Sequence, residues 1–275
     1  MYSVLALGYS MVYSLLYSPN FAHGDLYVFG TFIAWSLLMA GLPAIAAMVF
    51  AGLCAALIGM TIERTVYRPV RSANRIVPMI SALGVALILR TVAQLIWGPE
   101  ALAFPSILPS GYFQIGGFRI FYQQIIVLLA GVVIMVVFTL AMKKTKIGKA
   151  TQCIMQNSRT ASLMGIPVNK IIPLIYALGG FIGMIGGVLF SSYYNVIAID
   201  MGIWGTIKTW AAAMLGGIGS FYGAFAGGML LGIAETFAGA YIHSGFKDAL
   251  GYIVIVLILL FKPSGLLGKK RVEKV

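Results

Sequence analysis

The chain has 275 residues, 60% of them hydrophobic and only 9% charged, where a soluble domain carries about 25% charged residues. A water-soluble fold of this size would lack the charges to cover its surface, so lipid is the expected solvent. The net charge of +12 does not point to nucleic acid, because the basic residues sit in short breaks between apolar runs and not on one polar face.

The apolar runs, in chain order, are Met1–Tyr17, Leu26–Ala40, Leu42–Ile62, Ile76–Trp97, Phe121–Met142, Ile171–Tyr193, Gly205–Gly217, Gly223–Tyr241 and Ala249–Phe261. They predict an all-α polytopic membrane helix bundle of eight or nine membrane segments in a single domain, residues 1–275. Met1–Leu16 has no positive leading region and no small-residue cleavage site, so it reads as a short first helix and not as a cleavable signal. Gly205–Gly217 is the weak member. At ~1.5 Å per residue it reaches only about 20 Å against a hydrocarbon core of ~30 Å, which makes it a full crossing or a re-entrant piece.

Orientation follows from three basic segments, 62–75, 143–170 and 262–275, which hold 15 of the 19 Lys and Arg residues. The positive-inside rule places all three, and with them the C-terminus, in the cytoplasm. The connections Trp97–Ile120, Asn195–Trp204 and Ile242–Asp248 then face outward.

Few residues carry candidate chemistry. Ser18 or Asn20 can cap the second helix, with Asp25 near its positive dipole end, which leaves His23 either to line a polar cavity or to pair with a backbone carbonyl; Asn20, His23 and Asp25 are thus candidate pathway or structural polar residues. Glu235 falls on the face of Gly232 and Gly239, turned toward other helices, where a membrane carboxylate is either a structural hydrogen-bonding group or a functional one. A second glycine face, Gly179, Gly183 and Gly186, predicts close helix packing. Arg90 is expected to snorkel to the outer interface, and Lys208 and Asp200 flank the short segment without an evident pairing. Cys54, Cys153, His23 and His243 have no metal-ligand or disulfide spacing, so no metal is assigned.

The stretch 143–170 is too polar for the bilayer yet patterned at helical spacing. It predicts short helices at the cytoplasmic surface, resting on anionic lipid or docking a cytoplasmic partner.

Several motifs are specific. They are Asn20-Phe21-Ala22-His23-Gly24, the run Glu63-Arg64-Thr65-Val66-Tyr67-Arg68-Pro69-Val70-Arg71, Ile80-Ser81-Ala82-Leu83-Gly84 and Leu163-Met164-Gly165-Ile166. Further along come Leu215-Gly216-Gly217-Ile218-Gly219-Ser220, Phe246-Lys247-Asp248 and Lys262-Pro263-Ser264-Gly265-Leu266-Leu267-Gly268. With these residues the chain resembles, over nearly its whole length, the LivH-type permeases of branched-chain amino-acid ABC importers.

The resemblance implies the ABC importer permease fold, in the bacterial inner membrane, and a transport subunit that is not itself an enzyme. It implies two cytoplasmic ATPase subunits, a second permease chain with a heterodimer favoured, and a periplasmic substrate-binding protein. Gln156, Asn157, Arg159, Thr160, Ala161, Met164, Gly165 and Ile166 would form the segment that docks in the ATPase groove. ATP and Mg would be bound by that partner, and no Gly-x-x-x-x-Gly-Lys-Ser/Thr pattern occurs in this sequence. Members of the family begin earlier, placing Met1 inside the expected first helix, and commonly carry a proline near Ile199–Gly202 that is absent here. The substrate class stays open between branched-chain amino acids and the urea or short amides of related importers. A passive channel is the reading outside this class, since a glycine-rich short segment and midmembrane polar residues suit it equally.

Overall fold

The structure is a computed structural model that describes residues 1–16, 19–71, 73–74, 76–115, 117–217, 219–243, 245–262 and 264–268. Ser18, and with it the alternative cap, lies outside the described residues, as do the basic residues Arg75, Lys269, Lys270, Arg271 and Lys274.

Each apolar run forms a helix. The first three are α1 (Tyr2–Leu16), α2 (Ala22–Met39) and α3 (Ala44–Ile62), the last continuing through a π-helical turn, Glu63–Tyr67, into α4 (Arg68–Val70). Helix α5 (Ile76–Trp97) follows, then α6 (Tyr122–Lys144), the short α7 (Lys146–Gln156) and α8 (Ser158–Leu163), and the long α9 (Val168–Tyr194). The chain closes with α10 (Met201–Gly216), α11 (Phe221–Tyr241) and α12 (Phe246–Phe261). Five of the described helical stretches are long and apolar enough to cross a membrane: 44–70, 76–97, 122–144, 168–194 and 221–241. The molecule is thus a polytopic helix bundle. Helix α10 begins earlier than its apolar run suggests, at Met201, and its 16 residues give it a length of about 24 Å.

Helix α9 is the axis. It packs on α1, α2 and α3, and its glycines are what let those backbones come close. A Cβ on Gly180 would lie 2.7 Å from the Ala55 carbonyl oxygen of α3, and one on Gly59 of α3 would lie 2.8 Å from the Tyr176 carbonyl oxygen of α9. Gly179, Gly183 and Gly186 share the predicted face and meet α1 and the start of α2, against Val12, His23 and Leu5. Helix α9 ends where Asn195 takes a left-handed conformation (φ 53°, ψ 30°) and its N–H bonds the Ser191 carbonyl.

Among the described residues four short strands depart from the all-helical expectation. The connection after α5 is not irregular: β1 (Leu102–Ala103) pairs antiparallel with β4 (Val196–Ile197), and β2 (Tyr112–Ile115) forms a hairpin with β3 (Phe118–Phe121). The β1–β4 pairing ties two connections that are far apart in sequence. Trp35 of α2 adds to it by donating to the Ala103 carbonyl at 2.9 Å. At the opposite end, the Leu266 and Leu267 amides bond the Leu215 and Gly216 carbonyls at 2.9 and 3.0 Å, so the chain after α12 pairs with the α10–α11 turn.

Candidate functional site

Polar residues of the bundle gather in four places, and the first surrounds the start of α2. The Asn20 side-chain oxygen accepts from the Ala22 amide at 3.1 Å, satisfying one of the free amides of the first turn, and from the Tyr67 hydroxyl at 2.7 Å. His23 is buried, its ring edge-on to Tyr9 at 5.8 Å. Cβ atoms added to Gly8 and Gly183 would each sit 3.4 Å from its Cε1, so it wedges between α1 and α9, with Nε2 unbonded.

Asp25 does more than complement the helix dipole. Arg90 of α5 holds it in a fork, Nη2 at 3.0 and 3.2 Å from the two carboxylate oxygens and Nε at 3.2 Å from Oδ1. The expectation that Arg90 snorkels is therefore corrected. A carboxylate within reach at the same level of the bundle satisfies the guanidinium better than an extended climb of about 10 Å to the helix end.

The second place joins α1, α10, α11 and α12. Glu235 is buried on the predicted face, where Gly232 lies toward Tyr2 of α1 and Gly239 against the Lys247 stem. Lys208, unpaired in the sequence reading, lies 3.3 Å from Glu235 Oε1 and 3.0 Å from Asp248 Oδ1. Its hydrogen bond to Glu235 goes to Oε2 at 3.4 Å, so Oε1 feels the charge without a hydrogen bond of its own. Tyr2 OH accepts a further bond from Lys208 at 3.3 Å. Asp200 precedes α10 without capping it through its side chain.

The third place is Glu63, the first residue of the Glu63–Arg71 motif. Its side chain is fully buried in the π-helical turn and paired with Arg71. The i, i+8 spacing with opposite charges was the signal available. Tyr67 of the same turn, bonded to Asn20, packs against Tyr176 with tilted rings 5.2 Å apart and so ties the turn to α9.

The fourth is the stretch 143–170, which folds into two short surface helices, each with a side-chain cap. Thr145 Oγ1 accepts from the Gly148 amide at 3.0 Å, and Asn157 Oδ1 from the Thr160 amide at 3.0 Å. Thr151, Ile154 and Ala161 turn inward against the bundle. Gln156, Asn157, Arg159, Thr160, Met164 and Gly165 are exposed, and Ile166 is half-buried. Ala161 is thus not available as a docking contact: at 4% exposure it packs into the core, and its carbonyl accepts from the Ile166 amide. The outward tip is instead Leu163 and Met164, 82% and 79% exposed, followed by Gly165 at φ +81°.

Among the described residues no group of three or more His, Cys, Asp or Glu is placed to hold a metal ion. A family profile described as "Branched-chain amino acid transport system / permease component" matches residues 1–261. The chain belongs to this permease family. The high-affinity branched-chain amino acid transport system permease protein BraD of Pseudomonas aeruginosa is 36% identical, the match covering all of this chain and 94% of that protein. The corresponding LivH protein of Escherichia coli is 34% identical over all of this chain and 93% of its own length. A probable LivH of Methanocaldococcus jannaschii is 28% identical over 96% of this chain and 88% of its own length. No solved structure matches. As a permease the chain is a transport subunit and not an enzyme.

Proposed function

We propose that this chain is the membrane-spanning permease subunit of an ATP-driven importer, passing branched-chain amino acids from a periplasmic binding protein through the bacterial inner membrane. The whole-length match to the BraD and LivH permeases carries this reading. Its partners are a second, related permease in a heterodimer, two cytoplasmic ATPase subunits that bind ATP and Mg, and the binding protein.

All nine apolar helices are read as membrane segments, α10 being the one that either crosses or re-enters. The basic end of the bundle, with α7, α8 and the C-terminus, faces the cytoplasm. The segment 143–170 belongs to the same domain and couples it to the ATPase. Leu163 and Met164 are its knob, with Gln156, Asn157, Arg159, Thr160, Gly165 and Ile166 around it, because two large apolar side chains exposed on a polar surface call for a partner. ATP binding then shifts the permease between inward- and outward-facing states by favouring one docked geometry.

The test is reconstitution of the complex in vesicles. Leucine uptake should require ATP, and Gly165→Arg should abolish it and release the ATPase. The variant's own fold should survive, since Gly165 is open to solvent and its strain is of order 1–2 kcal/mol. Uptake that persists without ATP, with the ATPase still bound to Gly165→Arg, would assign a facilitator instead. Single cysteines check the orientation: Ser110→Cys should react with an impermeant reagent in intact cells and Lys149→Cys should not.

A further inference from the structure

The outward faces of the peripheral helices are not alike. Helix α3 presents Val49, Leu53 and Leu57, and α6 presents Leu129, Val133 and Val137, as hydrocarbon requires. On α11 the exposed Thr236 hydroxyl is satisfied by the Gly232 carbonyl at 2.8 Å. Helix α5 differs. It packs chiefly on α2, and its open face carries Gly84, Thr91 and Gln94 among Ile80, Leu87 and Leu95.

Among the described residues neither Thr91 nor Gln94 has a side-chain hydrogen-bond partner, and a Cβ on Gly84 would meet nothing within 4 Å. Arg90 lies beside this stripe with 21% of its side chain exposed. Its Nε and Nη2 are used on Asp25, and Nη1 donates to no described residue. At ~1.5 Å per residue, Arg90 is about 21 Å along a helix of about 33 Å, and Gln94 about 27 Å along it. This is membrane depth, where a guanidinium with an unused N–H edge and unbonded polar side chains are costly to leave against lipid.

Something other than lipid therefore covers this face in the working assembly. Of the partners, the ATPase and the binding protein stay outside the hydrocarbon, and only the second permease reaches this depth. Gly84 lets its backbone approach, as small residues do between membrane helices. About two to three turns further on, Arg90, Thr91 and Gln94 leave polar groups that a dry helix contact would strand.

We propose that this face of α5 meets the second permease subunit across the substrate path, with the free edge of the Arg90 guanidinium binding the carboxylate of the passing amino acid. The chemistry fits: Asp25 fixes the guanidinium plane through one edge, and the other presents N–H donors to a second carboxylate. This assignment rests on the importer reading above.

The test uses the full complex in vesicles, in a Cys54→Ala, Cys153→Ser background, with Thr91→Cys, Gln94→Cys and, as the lipid-facing control, Val133→Cys. A charged, water-soluble thiol reagent needs a hydrated thiolate, so the two α5 cysteines should react at least about tenfold faster than Val133→Cys. A photo-crosslinker on Thr91→Cys should capture the second permease. Leucine should slow labelling of Gln94→Cys, and leucinamide, which lacks the carboxylate, should not. In the paired variant Asp25→Asn with Arg90→Gln, which leaves no charge unmatched, leucine protection should vanish.

Labelling at positions 91 and 94 as slow as at 133, or crosslinks to lipid alone, overturns the surface assignment. Protection by leucinamide as good as by leucine, no protection by either, or protection that survives in the paired variant overturns the role of Arg90. ATP-driven leucine uptake is measured on the same vesicles. Its absence alongside fast labelling and crosslinking counts against the importer reading, and its presence alongside slow labelling counts against the α5 face alone.

Discussion

Arg90 shares its charge with one carboxylate, whereas Lys208 shares its charge with two carboxylates and a tyrosine hydroxyl. The Lys208 cluster joins α1, α10, α11 and α12, so no one of these helices moves without disturbing it. The Arg90 fork joins only α2 to α5, a peripheral helix, and one edge of it is open. A charge bound from several sides braces a fold, while a charge bound from one side keeps capacity for a ligand. The two sites should therefore respond differently to loss of a partner.

The largest effect is expected at Lys208. Lys208→Met leaves buried Glu235 without its cation, which costs roughly 3–5 kcal/mol for a broken buried pair. Thermal unfolding in detergent should show it, together with loss of assembled complex. A wild-type melting temperature for this variant would end the description of the cluster as a brace. Asp25→Asn should cost less, about 1–2 kcal/mol, because the carboxamide still accepts a hydrogen bond and Arg90 retains an open edge. If it destabilises as much as Lys208→Met, the contrast between the sites fails.

The smallest effect belongs to Glu235→Gln. Asp248 still balances Lys208, so stability should fall by no more than about 1 kcal/mol and assembly and uptake should stay near normal. Glu235→Leu removes the hydrogen-bonding groups as well and should impair assembly. Normal assembly with abolished uptake in Glu235→Gln would sharpen the comparison differently, giving the charge itself a part in transport.

The helices, the glycine face of α9 and the two surface helices before it were legible in the sequence because hydropathy, small-residue spacing and capping are local. Thr145 and Asn157 cap helices through amides only three residues away. The inward turn of Ala161 was not legible, since a six-residue helix has too few apolar positions to define its buried face. The partner of Arg90 lies 65 positions away and that of Lys208 lies 27 away, distances across which periodicity carries no information.

By itself, then, the sequence determined that this protein lives in lipid, where its helices run, which permease family it resembles and that 143–170 is a polar surface segment. Only the tertiary structure decided which charges face each other. It also decided that the connections carrying β1 and β4 pair, that Leu163 and Met164 project, and that α5 keeps Thr91 and Gln94 open on its outward face. The physical reason is that burial and hydrogen bonding along one helix depend on its own residues. The partner of a side chain is set by how close whole helices can come, and here the glycines of α9 set that distance.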